Sequence, residues 1–375
     1  MKLLAAAIAV AALGIPAAQA SSPVTVPGLV YTPGYGNSIV ARHDPATLAR
    51  SGPRVRLGGN ASSWSWSPRR RYLAVASYPQ RLTVIEVATM RVVSRVRLAP
   101  AGGVARAGSW AGDRALAVGE APAGAVVTAV DPLAGRVVRR TELTRPFGYQ
   151  FDRLPDGLVF LLGARNRSGP AQVAVVDAAG ETRVATVRQA AVGSAGLAVD
   201  PVGRRAYLVD GERVFGVDLR TLDISDPGPL RTLAKVSGST RSARWLGNGL
   251  LAVSGLDRDA TSARPAGLRI VDVRSWTTRI VNREASGFTL AAGRLLVENA
   301  LPRRAVVVAY GFDGAERYRL ELPESTWMKK LGRLGYACRW AYLRAVVDLR
   351  TGRTLRTGFP SGTRCPTLLV DDSRG

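Results

Sequence analysis

Histidine is almost missing from this 375-residue chain, and His43 is the sole copy. Two cysteines, three methionines and four lysines (Lys2, Lys235, Lys329 and Lys330) complete the scarce types, with aromatics at 6%. So few histidines and cysteines exclude most zinc sites and any cysteine-rich scaffold. A Ser-His-Asp triad is left with a single candidate base. After residue 20 no apolar run reaches the ~18 residues that a bilayer-crossing helix needs, which excludes a multi-span helical membrane protein. Acidic charge is short as well: 28 Asp+Glu against 52 Lys+Arg give a net charge of +24. Hydrophobic residues, by contrast, make up 46% and charged residues 21%, a composition that buries a core and excludes intrinsic disorder.

The first twenty residues read as a segment that is removed. Lys2 supplies the positive start, residues 3 to 15 an apolar stretch, and Ala18-Gln19-Ala20 a small-residue cleavage site. Ser21, Ser22 and Pro23 follow in place of a positive cluster, and no cysteine stands there to carry a lipid. The expectation is a signal peptide over 1–20 and one domain over 21–375, secreted or extracytoplasmic, with no membrane span after cleavage.

That domain is long for one hydrophobic core, and no Pro/Ser-rich linker divides it, so an internal repeat is the natural solution. Residues 62 to 98 show the unit: four short runs rich in Val, Leu, Ile and Tyr, separated by Gly, Pro, Asp and Arg. The third run of each copy ends at Asp44, Glu86, Asp131, Asp177, Asp218, Asp272, Tyr310 and Asp348. The mean spacing is about 43 residues, matching the ~40–45 of a four-stranded propeller blade. An Asp closing a strand accepts backbone N–H groups two residues on, and a Gly just after it supplies positive φ. The spacing therefore predicts an all-β propeller of four-stranded antiparallel blades. Eight blades are favoured, and seven fit if the last repeat is degenerate. The first copy lacks its innermost strand and residues 367 to 372 (TLLVDD) have no copy after them, so this C-terminal strand is expected to close the ring.

Residues 66 to 74, WSPRRRYLA, resemble the W-S-P-D-G turn of TolB-like and WD-repeat-like bacterial β-propellers. Residues 197 to 209, LAVDPVGRRAYLV, resemble the YVTN form of the same repeat. Arg69 and Arg70 stand where Asp and Gly belong, so a wider turn is expected there. The resemblance implies a propeller and, commonly, a binding surface; it implies no reaction.

The catalytic signatures of propeller enzymes are not found. The chain has no sialidase box and no adjacent cysteine pair, and no catalytic, metal or cofactor site is assigned. His43 reads as a turn histidine. The innermost strands carry almost no acid, Asp200 being the main exception, which disfavours the alternative of a lactonase-type hydrolase. Trp66, Trp110 and Trp245 recur at one place in their repeats and are expected to pack between blades, while Trp327 and Trp340 fall outside that series.

Charge and loop length point to one face. The loops between second and third strands are the long ones (77–81, 163–171, 254–267 and 299–304), and binding residues concentrate on such loops. They bring Arg81, Arg165, Arg167, Arg258, Arg264, Arg303 and Arg304 to one side, with Tyr35, Tyr78 and Tyr149 nearby. Glu120, Asp210, Asp257 and Asp259 share that side. An arginine excess also arises from GC-rich coding, but an exported basic face attracts anionic envelope polymers. The expectation is a monomeric, non-catalytic scaffold that binds protein or such a polymer, with no nucleic-acid partner. Cys338 lies late in a second strand and Cys365 just before the closing strand. Export permits a disulfide between them, the alternative being two buried thiols.

N-terminal sequencing of the exported protein should begin at Ser21. A start many residues away, or a retained membrane anchor, would overturn the export expectation.

Overall fold

The computed structural model describes residues 29 to 370, apart from residues 35–36, 78–80, 99–103, 164–168, 192–194, 212, 230–239, 259–261, 302–303, 324–325, 341, 364 and 367. The expected signal segment lies outside the described residues. Among those described there is no helix long and apolar enough to cross a membrane, and the strands form eight antiparallel sheets.

Seven sheets take their strands in strict chain order, as in the second: Ala61–Trp66, Tyr72–Ser77, Arg81–Glu86, Arg91–Arg97. The middle strands are apolar on both faces because each sheet is sandwiched between two others; every residue of Gly157–Leu162 (GLVFLL) is buried. Fourth strands turn one side to solvent and alternate, as in Thr182–Ala191. The core is accordingly a series of clusters, each shared by two neighbouring sheets. One joins Val40, Val55 and Leu57 to Leu73, Val75 and Ile85, and another joins Val173 and Val175 to Leu197, Leu208 and Phe215. The repeat-related tryptophans lie at these seams, as expected. Trp110 stacks on Tyr72 of the preceding sheet (6.1 Å, 7°) and Trp245 on Tyr207 (5.2 Å, 11°), while Trp66 packs into the cluster of the first and second sheets.

The turns follow the acidic rule. Asp44, Asp131, Asp177, Asp218, Asp272 and Asp348 each accept a backbone N–H from two to four residues ahead. Gly135, Gly180, Gly314 and Gly352 supply positive φ, between 69° and 81°. In the seventh sheet, where Tyr310 holds the marker position, the carboxylate moves three places on: Asp313 accepts the Ala315 N–H. The Arg69-Arg70 turn is as long as that of the Asp200 copy and two residues longer than the hairpins closed by Ala111 and Arg114, Leu154 and Gly157, Gly247 and Leu250, Ala291 and Arg294, and Leu331 and Leu334. Ser67 pairs with Tyr72 and Asp200 with Arg205 across loops of equal length, and Arg70 takes up φ 53° itself.

The first sheet is completed from the other end of the chain. Leu368–Val370 pairs with Leu29–Gly34, in the register Leu29↔Val370 and Tyr31↔Leu368. It is the innermost strand, ahead of Asn37–His43 and Arg50–Arg56. A last apolar cluster, with Leu331, Tyr336, Cys338, Leu343, Val346 and Cys365, packs Leu48 of the first sheet against the eighth. Tyr336 Oη donates to Pro45 O across the seam (2.7 Å). Cys338 and Cys365 form a disulfide with Cα atoms 5.7 Å apart.

That bond closes a 27-residue span, for which the chain-entropy model gives about 3–4 kcal/mol. Deleting residues 365–375 should lower the melting temperature sharply, and Cys365→Ser should lower it by a smaller amount. A calorimetric scan that leaves both unchanged would show that the ring does not depend on this closure.

Candidate functional site

Of the ten residues expected on this face, Arg81 and Arg264 are described with their side chains, and both are exposed. Arg81 opens the third strand of the second sheet, and its guanidinium lies across Gly58, filling the space a Cβ would need. Arg264 sits in Ala263–Pro265, a short fifth strand on the long loop of the sixth sheet, paired to the end of Leu250–Arg258. Tyr149 lies in the inner strand Phe147–Leu154 and Arg304 begins Arg304–Tyr310, placed by backbone alone. Tyr35, Tyr78, Arg165, Arg167 and Arg303 lie outside the described residues. Arg81 belongs to the second and Arg264 to the sixth of the described sheets, so three sheets separate them along the chain.

The acids counted on this face are partly turned inward. Asp257 accepts from Arg241, whose guanidinium is fully buried (2.6 Å), and Arg241 also reaches Leu256 O and Gly211 O. Asp210 is buried and accepts the Ala191 N–H (2.8 Å). The rim is thus more basic than its composition. It also carries aromatics that the repeat pattern passed over: Trp340 is 73% exposed and Tyr342 42%. Trp340 caps the hairpin between Leu334–Arg339 and Tyr342–Asp348 at φ 59°, an uncommon conformation for a bulky residue.

A second site, not anticipated from sequence, lies where three inner strands meet in the channel. Phe147–Leu154 lies beside Gly196–Asp200, which lies beside Thr240–Gly247. Gly196 allows the second of these contacts, since a Cβ there would fall 3.0 Å from the Ala243 nitrogen and the Arg241 oxygen. An innermost strand has one edge without a partner strand, and its polar groups need side-chain partners. Gln150 supplies two of them, donating from Nε2 to Ala195 O (2.6 Å) and accepting from Leu197 N–H at Oε1 (2.8 Å). Asp152, two residues on and on the same face, accepts from the backbone N–H groups of Arg153 and Val199. Arg153 crosses to the second sheet: its Nη2 donates to Trp64 O (2.6 Å), and its guanidinium lies over the rings of Trp64 (5.3 Å) and Phe151 (5.7 Å). Burial pushes the Asp152 carboxyl up, opposed by these N–H groups and by Arg244 and Arg153. Together Gln150, Phe151, Asp152, Arg153, Ser242, Ala243 and Arg244 line a cleft of about 450 Å³.

Other candidate groups are structural. His43 Nδ1 donates to Leu48 O (2.8 Å) inside its turn. Asp200 accepts from Val202 and Gly203. Among the described residues no group of three His, Cys, Asp or Glu gathers as metal ligands would.

No known family profile matches the chain, and no curated protein matches it. Solved structures do. Dihydro-heme d1 dehydrogenase NirN, solved in complex with DHE, aligns over 88% of this chain and 72% of its own, with a TM-score of 0.62 and 12% identity. BamB from Moraxella catarrhalis covers 82% and 92% (0.52, 12%). Sqt1 from Saccharomyces cerevisiae covers 79% and 84% (0.53, 9%). At such identities the likeness is one of fold. The chain is a β-propeller, similar in its repeats to WD-repeat-like propellers.

The turn acids set an acid limit on stability. Two bonds from the Arg333 guanidinium, with help from the Arg350 N–H, hold Asp348 at about 2, against an ordinary 3.8. Backbone N–H groups likewise lower Asp44, Asp131 and Asp218. A depressed carboxyl stabilises the fold fully above its unfolded value, and that stabilisation is lost as pH falls from about 4 toward 2. For Asp348 the shift corresponds to about 2 kcal/mol, trimmed to about 1–2 because Arg333 is exposed to solvent. Asp348→Asn should lower stability by that amount at pH 7, and the gap to wild type should close near pH 2. A gap independent of pH would assign the effect to packing instead.

Proposed function

We propose that this chain is an exported, non-catalytic β-propeller scaffold whose long-loop face holds an extended anionic polymer of the cell envelope. The observation that carries this reading is the chemistry of that face. Arg81, Arg264 and Trp340 are all exposed on connections between second and third strands, while Asp210 and Asp257 are drawn inward. Cations spaced around a rim suit a polymer that follows it better than a small molecule that must touch them together. Trp340 adds a flat apolar surface on which a sugar ring or an aromatic side chain can stack. A protein with an acidic surface meets the same requirements and is the other outcome of the test.

Export is supported by the disulfide, which persists in oxidising compartments. The hydrolase alternative has its nearest candidate in Asp152, but that carboxylate is engaged with the edge of the neighbouring inner strand.

On a polyanion column the mature protein should be retained well below 0.1 M salt and released as ionic strength rises, since exposed charges more than ~10 Å apart are then screened. The double variant Arg81→Ala/Arg264→Ala should elute earlier. Trp340→Ala should weaken retention without changing the salt dependence. Retention no greater than that of a neutral propeller would reduce the arginine excess to coding bias, and capture by an acidic protein but no polymer would favour the protein partner.

A further inference from the structure

We propose that the channel cleft between Phe147–Leu154 and Thr240–Gly247 is a binding site for a small organic carboxylate, gripped by the guanidinium groups of Arg153 and Arg244. The site is separate from the rim and does not rest on the polymer reading.

Size sets the first limit. A cleft of about 450 Å³ falls within the ~300–1,000 Å³ of small-ligand sites, too small for a folded partner. The second is preorganisation. Arg153 is held by the Trp64 carbonyl and by two aromatic faces, so its fork is oriented before any ligand arrives. Arg244, on the facing strand, is exposed and donates from Nη1 to Ala243 O (3.1 Å), the carbonyl next to it in the chain. Ser242 is exposed on the same lining and offers a hydroxyl.

Charge selects the ligand. Two guanidinium groups face one carboxylate, Asp152, and leave the lining at +1. A monoanion neutralises that excess, whereas a phosphate monoester near −2 would overshoot it beside Asp152. The planar fork of arginine also matches a carboxylate through two parallel N–H···O bonds.

Arg244 helps to hold the charge of Asp152, and its hydrogen bond goes to the carbonyl next to it in the chain. Gln150 and Asp152 satisfy the edge of the neighbouring strand, and Arg153 satisfies Trp64 O. Arg153 alone would balance the Asp152 charge, so Arg244 leaves the lining with one positive charge in excess. A carboxylate seated between the two arginines would neutralise that excess.

The test uses the mature protein at low salt and pH 7, with acetate, phenylacetate, phenylacetamide and phenyl phosphate as probes, followed by saturation-transfer NMR and calorimetry. Phenylacetate should bind saturably and the neutral amide at least tenfold more weakly. Arg244→Ala should lower phenylacetate affinity about tenfold with an unchanged melting temperature, since its side chain is exposed. Asp152→Asn, which makes the lining +2, should shift preference toward phenyl phosphate, a response that a purely structural Asp152 would not give. Arg81→Ala/Arg264→Ala should leave phenylacetate binding untouched. The proposal is overturned if neither carboxylate binds saturably, if the amide binds as well as the acid, if Arg244→Ala binds as wild type does, or if the rim variant abolishes binding.

Discussion

Everything in this molecule depends on one packing rule: each sheet has two apolar faces and must bury both. A twisted four-stranded sheet such as that around Gly157–Leu162 cannot satisfy the rule alone, and a row of such sheets leaves two faces bare at its ends. Bending the row into a ring removes the ends. The seam between the eighth and first sheets is therefore the same kind of contact as the other seven, with Tyr336, Val346 and Leu48 in the roles that Phe215 or Trp110 play elsewhere. What differs is where the chain breaks: it passes from Thr354–Arg356 of the eighth sheet into Leu368–Val370 of the first, so the break falls inside the first sheet, between Leu368–Val370 and Leu29–Gly34. The ladder of Leu368–Val370 with Leu29–Gly34 bridges that break, and the bond from Cys338 to Cys365 ties the start of the closing strand to the eighth sheet.

The ring also decides where polar chemistry collects. With both faces buried and outer strands turned to solvent, two places remain for polar groups: the turns at the rims and the unpaired inner edges around the channel. At the turns a carboxylate accepts one or two backbone N–H groups, so acids there are consumed by geometry. At the inner edges long polar side chains reach across, and Gln150 does this with both ends of its amide. Arginine reaches further still. Arg153 spans from the fourth sheet to the second, and Arg241 ties the fifth sheet to the long loop of the sixth.

Repetition is what made the fold legible. Turn acids, seam tryptophans and the orphan strand at 367–372 each follow from one unit copied around a ring, and a defect in one copy is explained by its neighbours. The channel site was not legible for the opposite reason: it is made of exceptions. Asp152 and Arg153 stand where the preceding copy carries Ser109 and Trp110, Arg244 falls at the place of Ser109 as well, and the polar run QFDR ahead of its turn was the available signal. Which way those side chains point, and that they meet residues some ninety positions away, depends on strand register and on which sheets face one another. Asp210 and Asp257 show the same limit on the rim, where loop position suggested exposure and hydrogen bonding turned them inward. Asp313 shows that the turn requires a carboxylate within reach and not one at a fixed place.

The two proposed sites on this scaffold differ in kind. On the rim, cations are separate, exposed and surrounded by water, so each contributes little and salt erases the sum. In the channel, two guanidinium groups share a partly dehydrated space with one carboxylate, so a single added charge changes the balance and salt has less access. Rim binding should thus scale with the length of the partner and with ionic strength. Channel binding depends instead on the charge and shape of one group. The fold makes both available because the seams carry the stability, leaving edge and loop residues free to differ from copy to copy.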